Sequence, residues 1–178
     1  MRSGCPLNIT LIGMPGAGKS TVGVVLAKRL GYHFLDTDLL LQAEVGQRLQ
    51  EIIYKRGMDR FKALEEHLLC GLQVRQTVIA TGGSAIYSGK AMAHLQSLGQ
   101  IVYLDISLEE LERRIDDMDS RGLIIDVGES FNQLYHRRKS LYQRYADVTV
   151  DGSALGIEEV AAQIELNVCR SPDNPEYL

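Results

Sequence analysis

The feature that most constrains the fold of this chain is a glycine-rich octapeptide near its N-terminus. Residues 13–20 read Gly-Met-Pro-Gly-Ala-Gly-Lys-Ser and match the pattern Gly-x-x-x-x-Gly-Lys-Ser/Thr in full. An apolar run over residues 8–13 leads into the motif, and apolar residues at helical spacing follow over 19–30. The pattern therefore predicts a strand, a tight loop and a helix, in that order.

This arrangement is typical of loops that bind the phosphates of ATP or GTP. Glycines allow backbone N–H groups to surround phosphate oxygens, and the helix N-terminus adds a positive dipole. Lys19 would provide a charge for the terminal phosphates, and Ser20 a hydroxyl for Mg²⁺. An incidental glycine-rich turn is the alternative, with a chance match below roughly 1%. The predicted nucleotide contacts are Gly13, Pro15, Gly16, Ala17, Gly18, Lys19, Ser20 and Thr21.

Strand and helix patterns alternate along the rest of the chain. Such alternation predicts a mainly parallel sheet covered by helices on both faces, with ligands beyond the carboxyl ends of the strands. The predicted strands are 8–13, 33–36, 77–81, 101–105 and 148–150. The predicted helices are 19–30, 49–56, 59–76, 90–98, 107–118, 130–145 and 157–168.

Length and composition indicate one domain. The chain has 178 residues, 45% of them hydrophobic, and no repeat or long linker divides it. We expect the domain to cover residues 1–170, with a mobile lid at about 116–130 and a flexible tail at 171–178.

Charge and cysteine content argue against several classes of protein. The net charge of −4 is unlike that of a nucleic-acid-binding protein, and no apolar run approaches the roughly 20 residues that span a bilayer. The sequence has no signal-peptide pattern, so we expect a cytoplasmic protein. We also expect a monomer with no nucleic-acid or membrane partner. The cysteines, Cys5, Cys70 and Cys169, lack disulfide-framework or metal-site spacing. We therefore expect reduced thiols, with Cys70 in the core.

Two aspartates lie at the end of the second predicted strand. Asp36 and Asp38 are two residues apart, so in an extended chain they project to the same side. One could hold the Mg²⁺ shell while the other orients or deprotonates a hydroxyl acceptor. The alternative is that Asp38 caps the helix that the apolar residues 39–41 begin.

Two arginines are further site candidates. Arg138 lies inside an apolar stripe of a predicted helix, where an unpaired guanidinium is costly and needs an anion. A substrate carboxylate would serve, and an internal acidic partner or a snorkelling stem is the alternative. Arg121 lies in the glycine-bearing loop 119–129, which could close over bound ATP and exclude water. It could equally be an ordinary solvated loop residue.

Taken together, these motifs resemble those of the shikimate kinases. The matching segments, between about residues 7 and 164, are Gly-Met-Pro-Gly-Ala-Gly-Lys-Ser-Thr, Phe-Leu-Asp-Thr-Asp, Phe61 with an adjacent cation, Ala-Thr-Gly-Gly, an Arg-x-Leu lid segment and Arg-x-x-Leu-Tyr. The resemblance implies transfer of the ATP γ-phosphate to the 3-hydroxyl of shikimate. It also implies a three-layer α/β/α fold like that of nucleoside monophosphate kinases, with a parallel five-stranded sheet and a mobile lid.

The resemblance also implies residue roles. Asp36 would associate with Mg²⁺, Asp38 with the shikimate hydroxyls, and Arg121 with the reacting phosphate. The remaining residues with implied roles are Gly82 and Gly83 near the substrate, Arg138 on the substrate carboxylate, and Arg114 on the adenine, for which Arg113 competes.

Three positions depart from the family pattern. Lys62 replaces an arginine and loses its planar fork, although it could instead pair with Glu66 one helical turn on. Ser84 replaces a third glycine near the substrate, and Gly122 replaces a lid proline. Lys62 and Ser84 are nevertheless predicted to contact the substrate. The departures leave open a kinase of another hydroxy acid or sugar acid, and a non-catalytic ATP-binding module is a further alternative.

Overall fold

A computed structural model describes residues 5–116 and 129–169. Its strands are β1 (Asn8–Ile12), β2 (His33–Asp36), β3 (Thr77–Ala80), β4 (Gln100–Asp105) and β5 (Val148–Asp151). They form one sheet in the order β2-β3-β1-β4-β5, and every neighbouring pair is parallel. The predicted five-stranded parallel α/β fold is therefore confirmed.

Eight α-helices are described, together with one short 3₁₀ helix at Ala85–Tyr87. They are α1 (Lys19–Leu30), α2 (Thr37–Val45), α3 (Leu49–Arg56), α4 (Met58–Gly71), α5 (Gly89–Leu98), α6 (Leu108–Asp116), α7 (Phe131–Tyr145) and α8 (Ile157–Val168). No helix within residues 5–116 and 129–169 is long and apolar enough to cross a membrane.

The helices differ from the prediction in two places. Helix α2 was predicted only in the alternative in which Asp38 caps a helix, because β2 runs into it without an intervening loop. The predicted helix 59–76 is too long, since α4 ends at Gly71 and Leu72 is extended (φ −64°, ψ 127°). Glycine has a low helix propensity, and the segment after it leads back to the sheet, where Gln76 N–H donates to Leu7 O.

Helices cover both faces of the sheet. Every residue of β1 and β3 is buried, and successive side chains of a strand point to opposite faces. Helix α1 packs against α8, and α4 packs against α5. At the amino end of the sheet, Asn8 Nδ2 donates to Val74 O and Leu98 O, while its Oδ1 accepts from Thr77 N–H. Asn8 thereby satisfies buried polar groups on both sides of β1.

The strand register brings the predicted motifs to one edge of the sheet. Leu11 of β1 and Asp36 of β2 both align with Ala80 of β3. Since the strands are parallel, the loop after β1, the aspartates at the end of β2 and the glycines after β3 all lie at the carboxyl edge. The predicted tail and residues 117–128 of the predicted lid lie outside the described residues.

The expectation of reduced thiols is wrong for two of the three cysteines. Cys5 and Cys169 form a disulfide whose Cα atoms are 4.2 Å apart, although 164 residues separate them in sequence. Cysteine spacing could not reveal this pair, because only the folded topology brings the segment before β1 to the end of α8. Cys70 is a free cysteine, but it is exposed on α4 rather than buried in the core.

Candidate active site

The glycine-rich motif forms a compact loop between β1 and α1. Gly13, Gly16 and Gly18 have positive φ angles, and Ala17 N–H donates to Met14 O at 3.1 Å. Helix α1 starts directly after Gly18, so the unpaired amides of its first turn open towards the loop. The strand, loop and helix predicted from the motif are all present in this order.

Lys19 lies across this loop. Its side chain is buried, and Nζ donates to Gly13 O and Met14 O, each at 2.9 Å. Burial lowers the pKa of Lys19 to about 8, an effect that the charges of Asp38 and Asp36 partly oppose. The loop carbonyls therefore orient an ammonium group at the position where the phosphates of a nucleotide would lie.

Ser20 and Asp36, the two predicted metal ligands, are in direct contact. Ser20 Oγ donates to Asp36 Oδ2 at 2.6 Å. A hydroxyl and a carboxylate side by side are the hard oxygen donors that Mg²⁺ prefers, so the residues fit this ion. Within residues 5–116 and 129–169, no group of three or more His, Cys, Asp or Glu side chains could hold a metal. A bound Mg²⁺ would therefore need phosphate oxygens or water to complete its shell.

The helix cap belongs to Asp36 rather than Asp38. Asp36 Oδ1 accepts from the backbone N–H groups of Asp38 and Leu39, at 3.0 and 3.2 Å. The alternative in which Asp38 caps this helix is therefore wrong. The Asp38 side chain is directed towards Gly82, and burial raises its pKa while the charge of Lys19 opposes the shift.

Two consecutive glycines separate the predicted substrate residues. A Cβ on Gly82 would lie 2.6 Å from Asp38 Oδ1, and one on Gly83 would lie 2.9 Å from Arg138 Nη1 and 3.0 Å from Pro15 Cδ. Neither position can carry a side chain without displacing a site residue. The glycine pair thus allows the phosphate loop, Asp38 and Arg138 to meet in one cleft.

Arg138 lies on the buried side of α7, as its place in the apolar stripe predicted. Its side chain is 2% exposed, between the buried Leu134 and Tyr142 on the same helix face. Among the residues that the structure describes, no Asp or Glu forms an ion pair with it, so the internal-partner alternative finds no support there. Its Nε donates to Tyr87 Oη at 3.1 Å. A buried guanidinium of this kind is suited to an anionic ligand.

Arg114, the predicted adenine contact, lines a cavity beside the phosphate loop. Arg114 Nη1 donates to Ala17 O at 3.5 Å, and its Nε donates to Glu110. Arg113 instead makes a bidentate contact with Glu110 and has a more exposed side chain, so the geometry favours Arg114. The cavity, of about 490 Å³, is lined by Gly16, Ala17, Gly18, Thr21, Val22, Leu104, Ile106, Glu110, Arg113, Arg114, Gly152, Leu155, Ile157 and Val160.

Lys62 is half-buried and does not pair with Glu66. Glu66 instead accepts from Ser88 Oγ at 2.6 Å and lies 3.8 Å from Lys90 Nζ. Lys62 Nζ is 5.4 Å from the centre of the Tyr87 ring. The ammonium group therefore contacts the same tyrosine as Arg138.

Two pocket residues, Glu65 and Tyr87, were missed by the reasoning from sequence. Glu65 is 5% exposed and accepts a hydrogen bond from Ser84 Oγ at 2.7 Å. A glutamate one turn after Phe61, inside the apolar stripe of α4, is the same signal that identified Arg138 and could have found it. Tyr87 lies in the short 3₁₀ helix after the glycines, and no periodic pattern marks it. Arg121 and Gly122 lie outside the described residues.

Comparison with known proteins agrees with this geometry. A family model described as shikimate kinase matches residues 15–168. The shikimate kinase of Moorella thermoacetica is 34% identical over 161 residues, covering 90% of this chain and 93% of its own. The solved shikimate kinase from Acinetobacter baumannii in complex with shikimate superposes with a TM-score of 0.80, at 31% identity, over 90% of this chain and 92% of that one.

A second solved relative gives the same result. The shikimate kinase from Aquifex aeolicus superposes with a TM-score of 0.78, at 33% identity, over 90% of this chain and 95% of that one. Sequence and fold agree over nearly the whole length of the chain. The chain therefore belongs to the shikimate kinase family.

Proposed function

We propose that this protein transfers the γ-phosphate of ATP to a hydroxyl of shikimate, with Mg²⁺ as its cofactor. The observation that carries the proposal is the meeting of Asp38, Arg138 and the phosphate loop around the Gly82–Gly83 pair. Such a cleft offers a carboxylate for a hydroxyl and a buried cation for a carboxylate, beside a site for phosphates. The relative from A. baumannii, solved with shikimate, supports this acceptor.

The nucleotide half of the site consists of the loop and the adjoining cavity. The loop amides and Lys19 Nζ would hold the β- and γ-phosphates, and Arg114 would contact the adenine. Ser20 and Asp36 would hold Mg²⁺, which neutralises phosphate charge when bound. The charge of Asp38 raises the pKa of Lys19, so the two halves of the site are electrostatically coupled.

The acceptor half provides the proton transfer and the orientation. Asp38 would orient the hydroxyl and accept its proton as the hydroxyl oxygen forms a bond to the γ-phosphorus. The bond between that phosphorus and the β–γ bridging oxygen breaks, and ADP leaves. Arg138 and Lys62 would bind the carboxylate, with Gly82, Gly83 and Ser84 lining the pocket. Arg121 would reach the transferred phosphate from the lid.

A different acceptor, another hydroxy acid or a sugar acid, is the second candidate. Ser84 favours it, because its hydroxyl occupies one oxygen of the buried Glu65 inside the acceptor pocket. Lys62 also offers a point charge where the family has a planar fork. Either substitution, Ser84 or Lys62, could alter which arrangement of acceptor hydroxyls the pocket accommodates.

The experiment is an acceptor panel with Mg-ATP. Purified protein is incubated with shikimate, other cyclic hydroxy acids, sugar acids or no acceptor, and products are identified by mass spectrometry. We expect shikimate to gain one phosphoryl group with the highest kcat/KM. A higher kcat/KM for another acid would establish the second candidate. ADP release without any phosphorylated acceptor would contradict both.

A further inference from the structure

Tyr87 was not among the predicted site residues, but it contacts two of them, Lys62 and Arg138. Tyr87 ends the 3₁₀ helix Ala85–Tyr87, which packs against α4, α5 and α7. Helix α4 carries Lys62, and α7 carries Arg138. The Tyr87 side chain is half-buried at the junction of these helices, one turn beyond the glycine pair.

Three cations surround the Tyr87 ring. Lys62 Nζ and Arg137 Cζ each lie 5.4 Å from the ring centre, and Arg138 Cζ lies 5.3 Å from it. All three distances are within the range of about 6 Å over which a cation is attracted to an aromatic face. Arg138 Nε also donates to Tyr87 Oη at 3.1 Å. Tyr87 thus contacts Arg138 through both its ring and its hydroxyl.

Two of these cations form no ion pair in the part of the chain that the structure describes, although the charges of both act on the carboxylate of the buried Glu65. Arg137 Nη2 pairs with Glu129 at 2.7 Å, but no such ion pair involves Lys62 or Arg138. Like charges gathered around one ring repel each other, and the negative face of the ring offsets only part of that cost. An anion that binds Lys62 and Arg138 together would remove the remaining repulsion.

Lysine needs such support more than arginine does. Its ammonium is a point charge on a flexible stem, without the planar fork that orients a guanidinium on a carboxylate. The Tyr87 ring contacts both the Lys62 ammonium and the Arg138 guanidinium. Tyr87 Oη accepts from Arg138 Nε, while Arg138 Nη1 faces Gly83 in the cleft.

We propose that Tyr87 is a positioning residue that holds Lys62 and Arg138 together as a two-cation site for the carboxylate of the acceptor. This inference rests on the proposed function, since it assumes a carboxylate-bearing acceptor. Tyr87 would act through Lys62 and Arg138 and not directly on the phosphates or the reacting hydroxyl. Its removal should therefore weaken acceptor binding and leave phosphoryl transfer intact.

The test compares two Tyr87 variants on shikimate and on its carboxamide, which lacks the negative charge. For shikimate we expect KM to rise about 5-fold in Tyr87→Phe, which keeps the ring, and about 20-fold in Tyr87→Leu, which keeps neither contact. The kcat values and the KM for ATP should stay within about twofold. For the carboxamide, the variants should match the wild type, because there is no charge to position.

A rescue and a control complete the design. Lys62→Arg in the Tyr87→Leu background should recover most of the lost shikimate affinity, since a planar fork orients itself on the carboxylate. Tyr54→Leu is the matched control, because Tyr54 is 91% exposed. Melting temperatures verify that each variant is folded, and the Tyr87→Phe result stands if Tyr87→Leu does not fold.

The outcomes separate this inference from the function on which it rests. An unchanged KM for shikimate in the folded Tyr87 variants would overturn the inference alone. So would an equal loss for shikimate and its carboxamide, which would indicate a merely structural role. Absence of shikimate turnover by the wild type would overturn the proposed function and the inference with it.

Discussion

Ser84 Oγ donates a hydrogen bond of 2.7 Å to Glu65 Oε2, and each of the two residues is 5% exposed. The other carboxylate oxygen, Glu65 Oε1, has no hydrogen-bond partner in the described structure. A buried carboxylate that is only half satisfied is costly to ionise. Burial raises the pKa of Glu65 to about 7, although the Ser84 hydrogen bond opposes the shift. Glu65 therefore makes the stability of the protein depend on pH near neutrality.

Glu65→Gln should remove this dependence. The pKa of Glu65 is about 7 in the folded protein and 4.5 in the unfolded chain, so the folded state binds more protons between these values. The protonated Glu65 side chain therefore contributes stability that is fully present below pH 4.5 and is lost as pH rises to about 7. The loss is at most roughly 3 kcal/mol. Urea unfolding of wild type and Glu65→Gln at pH 5 and pH 8 measures it.

The exposed Glu44 on α2 offers a control for this measurement. Glu44→Gln should keep the pH dependence of the wild type. Ser84→Ala should move the midpoint to higher pH, because it removes the hydrogen bond that lowers the pKa of Glu65. A free-energy difference between wild type and Glu65→Gln that stays constant from pH 5 to pH 8 would show that Glu65 does not titrate in this range.

Nucleotide affinity should fall at alkaline pH. Burial lowers the pKa of Lys19 to about 8 in the free protein, and the phosphates need the protonated amine. Binding above that pH therefore requires proton uptake, and the Kd should rise by up to about tenfold per pH unit. Calorimetric titration with a non-hydrolysable ATP analogue between pH 7 and pH 9.5 tests this.

Two variants control the Lys19 prediction. Lys19→Arg should bind nucleotide more weakly but without the pH dependence, since arginine stays charged throughout this range. Lys28→Met, at an exposed position of α1, should behave like the wild type. A wild-type Kd that is flat up to pH 9.5 would mean that Lys19 remains charged in the free protein.

Asp38→Asn should block phosphoryl transfer without blocking nucleotide binding. Asparagine keeps the shape of the side chain but cannot accept the hydroxyl proton, so kcat should fall about 100-fold or more. The Kd for Mg-ADP should stay within about threefold, because Ser20 and Asp36 are untouched. Asp59→Asn, at an exposed position of α4, is the control. Activity of Asp38→Asn near that of Asp59→Asn would remove Asp38 from the mechanism.

The Cys5–Cys169 disulfide should stabilise the protein. It closes a loop of 164 residues, so its removal should lower the free energy of unfolding by about 3–5 kcal/mol. Urea unfolding with and without reductant tests this in the wild type, in Cys5→Ser and in the control Cys70→Ser. Reductant should have no further effect on Cys5→Ser. Denatured, unreduced wild type should contain one free thiol; three would contradict the disulfide.

Local patterns predicted the glycine-rich loop together with the strand before it and the helix after it. The phosphate loop is one continuous segment whose glycines, lysine and following helix each have a local reason to be there. Arg138 could be found because one charged residue inside an apolar stripe signals a buried ion. The same argument applies to Glu65. Its signal is less distinct, because other charged residues of α4 are close to it in sequence.

The rest depends on contacts between distant segments. Cys5 and Cys169 meet only once the parallel sheet is assembled. Tyr87 acquires its role from cations on two separate helices, and its own sequence neighbourhood carries no sign of them. Asp36, rather than Asp38, caps α2 because the helix begins at Thr37, directly after the last residue of β2. Packing between segments that are distant in sequence determines these features, and a local sequence pattern does not reveal it.

The most direct test of the central claim is a crystal structure of the protein with ADP and shikimate. We expect a shikimate hydroxyl within hydrogen-bond distance of the Asp38 carboxylate and the shikimate carboxylate on Arg138, on either side of the glycine pair. Shikimate bound away from both side chains, with the cleft between them unused, would contradict it.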